Sequence, residues 1–288
     1  MSHDQNFKNL ILDYPRQALA FFAAAEADDL PESVRITPLR QEQLQERLGE
    51  RFRELDTPLL VEWPDGRREA LLFVVEEESD PRRFSIYRLV RYCADLAELC
   101  QTDRVVPIVV FLRGSPDRRS LTLGGDRHTY LSFSYIACEL AELPYHAYRD
   151  SDNLVARLNL PNMRYAPDER VAVYADAVRG LTTLETDPER QLKYMDFIDI
   201  YAALDENERQ RYSQEYPSEV ATMTNFAERF REEGKQLGEA TMLLRQLRSK
   251  FGEVPETTCK RVETADPDTL LTWSERILTA DSIEEILH

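Results

Sequence analysis

Two strand-like runs on either side of a short turn sequence constrain this chain more than any other feature. Residues 56–63 read DTPLLVEW and residues 69–77 read EALLFVVEE, and PDGR between them contains Asp65 and Gly66, which favour a tight turn. The pattern predicts a β-hairpin. An apolar helical pattern precedes it, and the amphipathic helix DPRRFSIYRLVRYCADLAELC and the apolar strand RVVPIVVFL follow it. The order helix, hairpin, helix, strand predicts a mixed α/β core over about residues 1–145.

The second half of the chain differs, because helical patterns replace strands from about residue 168. We predict an α/β domain over residues 1–150, a helical region over 151–218, and a long helix with a small helical module over 219–288. In the long helix, apolar residues spaced by three and four form a seam: Met223, Phe226, Phe230, Leu237, Ala240, Leu244, Leu247 and Phe251. The seam either pairs subunits of a homodimer or higher homo-oligomer through residues 219–251, or packs along its own domain.

The formal net charge of −17 limits how the chain could meet nucleic acid. Affinity for nucleic acid comes largely from neutralising phosphates, so this balance argues against a protein that coats DNA with little specificity. Any such contact must use a local arginine cluster or a bound cation. The sequence has no run of 18 uncharged apolar residues, and MSHDQNFK lacks the pattern of a secretory signal. We therefore expect a soluble, cytoplasmic protein without a membrane partner.

The four cysteines do not suggest a metal centre. Cys93, Cys100, Cys138 and Cys259 form no CxxC pair, and no histidine stands near them at metal-ligand spacing. We predict reduced thiols buried in the core.

The end of the second predicted strand carries an unusual concentration of charge. Five apolar residues, LLFVV, run directly into Glu76, Glu77 and Glu78. Like charges side by side repel, so solvent, a set of arginines or a metal ion must stabilise them. If Asp65 to Arg67 form a three-residue loop, paired residue numbers sum to 132 and Asp56 lies opposite Glu76, where both could ligate one hard cation.

The register decides this geometry. With the three-residue loop, the two-residue period of a strand also places Glu78 on the face of Glu76 and sends Glu77 to the other face. A two-residue loop would instead pair Asp56 with Val75 and move Glu76 to the opposite face. Both registers remain open from the sequence.

Several motifs together resemble a known family. They are a strand Asp, a hairpin, an apolar strand ending in Glu, and then a helix, with HDQNFKNLI near the start and Arg88 and Tyr92 spaced by four in EEESDPRRFSIYRLVRY. Residues 3–145 resemble the PD-(D/E)XK nuclease superfamily, and more narrowly its recombination-promoting nuclease and transposase-like family. The tail is similar to a small helical module of unknown function that often ends these proteins. The resemblance implies a restriction-endonuclease-like mixed sheet flanked by helices, followed by an all-α C-terminal region.

The resemblance also implies an activity: a metal-dependent DNA endonuclease that hydrolyses phosphodiester bonds in DNA recombination, with Mg²⁺ or Mn²⁺ as cofactor. Asp56, Glu76 and Glu78 would be the catalytic residues, and Asp56 and Glu76 would hold the metal. Glu78 departs from the pattern, because the superfamily has Lys at this position and the family commonly has Gln. A carboxylate there can only accept hydrogen bonds or ligate a second ion. The alternative function is therefore an inactive relative that acts as a DNA- or protein-binding oligomeric module.

The remaining candidates are accessory residues. Asp4 is either an outer metal ligand or a helix cap. Lys8, the only lysine in the first 150 residues, either serves the chemistry or has a surface role. Four arginines at the entrance of the predicted helix either contact phosphates or neutralise the acidic triplet: Arg82, Arg83, Arg88 and Arg91.

Overall fold

The computed structural model describes residues 3–27, 30–39, 57–76, 84–114 and 118–287, of which 3, 4, 75, 76 and 225–234 are described as backbone only. The chain divides into two compact units, Met1–Tyr216 and Pro217–His288. The expected mixed α/β core and the helical C-terminal region are both confirmed.

A five-stranded mixed sheet forms the centre of the first unit, with the strand order β1-β2-β3-β4-β7. The pairs β1/β2 and β2/β3 are antiparallel, whereas β3/β4 and β4/β7 are parallel. Strands β5 and β6 pair with each other in a separate two-stranded sheet. The bounds are β1 Arg35–Pro38, β2 Thr57–Glu62, β3 Arg68–Glu76, β4 Val105–Phe111, β5 Ser120–Gly124, β6 Thr129–Ser134 and β7 Ile136–Glu139.

Helices cover both faces of the sheet around β3. On one face, Leu72 and Val74 pack against α4 (Ile86–Cys100), which contributes Leu89, Tyr92 and Leu96 among others. On the other face, the ring of Phe73 lies 6.3 Å from that of Phe22, measured between centroids, in α2 (Pro15–Phe22). Burial on both faces explains why β3 is an almost unbroken apolar run rather than an alternating one.

The hairpin is confirmed, but its turn lies one residue earlier than predicted. The backbone N–H of Trp63 donates to the carbonyl of Arg67 over 3.0 Å, which leaves Pro64 to Gly66 as the loop. The paired residue numbers sum to 130, as in Thr57 with Phe73, so the expected sum of 132 and the two-residue alternative are both wrong. The glycine is the physical reason: its φ of +86° suits the left-handed last position of a three-residue loop.

The N-terminal helices connect the sheet to the helices that follow it. The first apolar segment splits at Pro15 into α1 (His3–Asp13) and α2, and a short α3 (Ala24–Ala27) follows. Gln17 of α2 accepts a hydrogen bond from the backbone N–H of Leu154 (2.6 Å), and Tyr14 donates one to buried Glu185. The helices that follow the sheet in this unit are α5 (Leu154–Leu158), α6 (Arg170–Leu184), α7 (Pro188–Ala202) and α8 (Glu206–Glu215).

The second unit is a small helical bundle. It contains α9 (Pro217–Phe251), α10 (Glu256–Glu263), α11 (Pro267–Arg276) and α12 (Ile283–Leu287). Ala240, Leu244 and Leu247 of the predicted seam are buried in the core of this unit, whereas the Leu237 side chain is 65% exposed. The C-terminal half of the seam thus packs along its own domain. No helix in the described part of the chain is long and apolar enough to cross a membrane.

Candidate functional site

The carboxyl ends of three neighbouring parallel strands meet at one edge of the main sheet. Glu76, the last residue of β3, pairs with Phe111, the last residue of β4. Phe111 pairs in turn with Glu139, the last residue of β7. Adjacent strands lie ~4.8 Å apart, so the backbones of the two glutamates are separated by roughly 10 Å. We call Glu76, Phe111 and Glu139 the carboxyl-edge row.

Glu139 is a member of this row that the sequence analysis did not single out. Its carboxylate, with the side chain only 13% exposed, accepts a hydrogen bond from the guanidinium of Arg119 over 2.5 Å. A usable signal was present, because Glu139 follows the apolar run YIAC much as Glu76 follows LLFVV. An acid at the end of a buried strand becomes informative only when the strand is known to be parallel to its neighbour.

An aromatic cluster supports the middle of the row. The ring of Phe84 lies 5.6 Å from that of Phe111 and 5.2 Å from that of Tyr135, measured between centroids. The hydroxyl of Tyr135 donates to the backbone carbonyl of Arg118 over 2.8 Å. These contacts tie the start of the β5–β6 hairpin to the same edge of the sheet.

The helix that follows β3 carries two of the predicted phosphate-contacting arginines. Ser85 caps α4 by accepting a hydrogen bond from the backbone N–H of Arg88 over 3.4 Å. Arg88 is half-buried and Arg91 is exposed, and residues three apart lie on one side of a helix. Tyr92, which resembles the family's tyrosine, is buried in the core between α4 and the sheet.

The other sequence candidates are described only in part. Asp56, Glu78, Arg82 and Arg83 lie outside the described residues, and Glu76 and Asp4 are described as backbone only. Asp4 falls within the first turn of α1. Lys8 is half-buried on the same helix, where it interacts with other groups of the protein.

Metal-binding side chains do not cluster in the described part of the chain. Within it, no group of three or more His, Cys, Asp or Glu side chains is arranged to hold an ion. The side chains of the acids proposed from the sequence, Asp56, Glu76 and Glu78, lie outside the described part of the structure. Oxygen donors are nevertheless the type that hard cations such as Mg²⁺ prefer, and the row ends in a carboxylate residue at each side.

The buried thiols of the first unit are unsuited to nucleophilic chemistry. Cys93, Cys100 and Cys138 are free and buried, which confirms the predicted core thiols for these three, and Cys259 is half-buried. Burial, and secondarily the charge of Glu139, raises the pKa of the Cys138 thiol to about 12. A thiol with so high a pKa stays protonated near neutral pH and is a poor nucleophile.

Known proteins add no further assignment of this edge. The chain matches no family model, no curated protein and no solved structure in the three comparisons made.

Proposed function

We propose that this chain is a Mg²⁺- or Mn²⁺-dependent DNA endonuclease with a restriction-endonuclease-like core, a PD-(D/E)XK nuclease of the recombination-promoting nuclease and transposase-like family. One observation carries the proposal: Glu76 ends the second strand of an antiparallel hairpin, and the next described helix, α4, packs on that strand. This is the order of hairpin, acid-terminated strand and helix on which the resemblance rests. The apolar strand β4 then pairs in parallel beside it.

The observed register changes the expected relation between the two proposed metal ligands. A ladder that continued past Thr57 in this register would set position 56 opposite Val74 rather than Glu76. The observed register is shifted from the predicted one by two residues, which is the period of a strand, so we still expect positions 56 and 76 on the same face of the sheet. In this register they would be diagonal neighbours about 7–8 Å apart. The glutamate side chain is long enough to bridge this distance, so the carboxylates of Asp56 and Glu76 would still be able to share one ion.

Each residue then has a distinct role in the proposed reaction. Asp56 and Glu76 would hold the cation, which when bound activates a water molecule and stabilises charge on the scissile phosphate. Glu78 would accept hydrogen bonds from that water, since a carboxylate cannot donate one. Arg88 and Arg91, on the first two turns of α4, would contact the DNA phosphates.

The decisive experiment is a plasmid-nicking assay with Mg²⁺ or Mn²⁺. We expect nicking by the wild type, and loss of at least 100-fold in rate for Asp56→Ala and Glu76→Gln. Glu62→Gln is the matched control, because Glu62 ends β2 at the turn and its only described ion pair, with Arg68 (3.1 Å), is exposed. Nicking that is equal in all four proteins would mean contamination or another site, and would reject the proposal.

Glu78 favours one alternative, in which the same fold binds DNA or protein without cutting it. Replacing Glu78 with Gln restores the residue common in the family, so an active enzyme should retain or increase its nicking rate. Binding of Mn²⁺ that depends on Asp56 and Glu76, without cleavage by either the wild type or Glu78→Gln, would support the inactive relative instead. Calorimetry with Mn²⁺ separates the two cases.

Assembly through residues 219–251 remains a proposal of its own. Since Leu244 is buried in the core of its unit, an aspartate there would disrupt folding and give no information about assembly. Leu237 is the better probe, because its side chain is 65% exposed. If a dimer forms along this helix, Leu237→Asp should halve the mass measured by sedimentation, and an unchanged mass would reject this interface.

A further inference from the structure

The β5–β6 hairpin is packed on one face at its base, whereas its other face is exposed. Cross-strand pairing places Leu121 opposite Phe133, and Leu121 is fully buried. The other face carries two cross-strand pairs of hydroxyl residues, Ser120 with Ser134 and Thr122 with Ser132, all of them exposed. Tyr130, two residues before Ser132, is the extra residue at the register irregularity where Leu123 pairs with Leu131 and Gly124 pairs with Thr129, and its side chain is 80% exposed. We call these five residues the hydroxyl face.

The hairpin is cationic within a strongly acidic chain. Residues 118–134 contain three arginines and one aspartate, whereas the whole chain has a net charge of −17. Arg119 is paired with Glu139. Arg118 at the base and Arg127 in the turn are exposed, and neither forms an ion pair with another residue of the described part of the chain. Within the described part of the chain, the hairpin therefore presents two exposed arginines without an ion pair beside a set of neutral hydrogen-bond donors.

The base of this hairpin is fixed beside the carboxyl-edge row. Arg119 bonds directly to Glu139, and the carbonyl of Arg118 accepts a hydrogen bond from Tyr135. Glu139 lies about 10 Å from the backbone of Glu76, two strand spacings away. A ligand lying along the hairpin would thus extend towards the proposed reaction centre.

We propose that the hydroxyl face, with Arg118 and Arg127, is the surface on which duplex DNA docks. This rests on the proposed nuclease function and assigns the substrate a place on the protein. Hydroxyl and guanidinium groups donate to phosphate oxygens, and a two-stranded ribbon fits the major groove, which is ~12 Å wide. Since acidic surface elsewhere repels DNA, local donors with few carboxylates are what such docking requires.

Binding of a labelled 30-base-pair duplex, measured by fluorescence anisotropy in EDTA and in Ca²⁺, tests this directly. We expect Arg118→Ala/Arg127→Ala to raise Kd at least tenfold and to reduce the slope of log K against log salt by about 1.8, the effect of two lost phosphate contacts. Tyr130→Ala should raise Kd with the salt slope unchanged. Arg35→Ala/Arg245→Ala is the matched control, because both arginines are exposed, neither forms an ion pair within the described residues, and the charge change is the same. It should alter Kd less than twofold.

The outcomes separate this inference from the proposed function. Equal Kd and salt slope for the hairpin variant and the control would overturn the docking surface, even if the wild type cuts DNA. Failure of the wild type to bind duplex, or a tenfold preference for single strands, would also overturn it. Tight binding that depends on the hairpin, without cleavage under any divalent cation, would support the docking surface and reject the nuclease.

Discussion

Gly180 offers the sharpest test of packing in the first unit. It is buried in α6, and a Cβ atom added there would lie 2.6 Å from Nε, 2.7 Å from Cβ and 3.0 Å from Cγ of Arg157. Arg157 is only 8% exposed, and its guanidinium donates to the carbonyl of Asp176 over 2.8 Å. Because Cβ and Cγ stand close to the backbone of α5, rotating the end of the arginine side chain cannot relieve the contact.

The expected effect of Gly180→Ala follows from two opposing contributions. Alanine is favoured over glycine in a helix interior by about 0.8–1 kcal/mol. Overpacking a filled core typically costs about 1–3 kcal/mol, and loss of a buried hydrogen bond such as that to Asp176 costs about as much again. We therefore expect Gly180→Ala to lower the free energy of unfolding by about 1–5 kcal/mol. Gly238→Ala is the matched control, since nothing lies within 4 Å of the added Cβ, and it should raise that free energy by about 0.5–1 kcal/mol.

The chain provides its own reporters for this measurement. Of its two tryptophans, Trp63 lies in the first unit and Trp273 in the second. Urea unfolding followed by fluorescence in a Trp273→Phe background reports on Gly180, and a Trp63→Phe background reports on Gly238. Each glycine variant is compared with its own single-tryptophan parent, so the effect of the background cancels.

A double variant distinguishes the packing argument from a general intolerance of α6. In an Arg157→Gly background the Nε, Cβ and Cγ atoms of the close contact are all gone, whereas alanine would keep the Cβ, so Gly180→Ala should there stabilise the unit by about 0.8 kcal/mol. The reasoning is refuted if Gly180→Ala stabilises the arginine-containing protein as much as Gly238→Ala does. It is equally refuted if alanine at position 180 destabilises both backgrounds by the same amount.

Two further predictions address the thiols and the second unit. Burial raises the pKa of Cys93 and Cys138 to about 12, so roughly one molecule in 10⁴ carries either thiolate at pH 8. Ellman's reagent should therefore label Cys259 in the native protein, and should label Cys93 and Cys138 only in urea. Labelling of Cys93 or Cys138 at the rate of Cys259 would contradict their burial. Leu247→Ala should lower the unfolding free energy of the second unit by about 2–5 kcal/mol, whereas Leu237→Ala should change it by less than about 0.5 kcal/mol. Urea unfolding followed through Trp273 fluorescence measures both effects, and equal effects would contradict the observed core.

The elements around the candidate site could be predicted because their signals are local. The runs on both sides of PDGR, the amphipathic α4 and the apolar β4 each repeat a hydrophobic period several times within a few residues. Pro15 ends one helix and begins the next because it lacks an N–H and fixes its own φ. Such preferences act within a few residues and need no knowledge of the partner element.

The register could not be read so directly. The motif PDGR is compatible with more than one hairpin loop, and the predicted loop, Asp65 to Arg67, lies one residue later than the observed loop, Pro64 to Gly66. The decision depended on which position the left-handed Gly66 occupies, and this shifted the partner of every residue in β3 by two positions. For the proposed ligands, the same shift changes the expected relation from directly opposite to diagonal.

The sequence by itself determined the class of the fold, the hairpin that ends in Glu76, and the acidic balance that demands local donors for any contact with DNA. Only the tertiary structure brought Glu139 into line with Glu76, fixed the cationic hairpin beside them, and buried the C-terminal half of the seam of α9 in its own unit. The physical reason is one of range. Secondary structure follows from contacts between near neighbours, whereas strand order and burial depend on which distant apolar surfaces exclude water most completely when they meet.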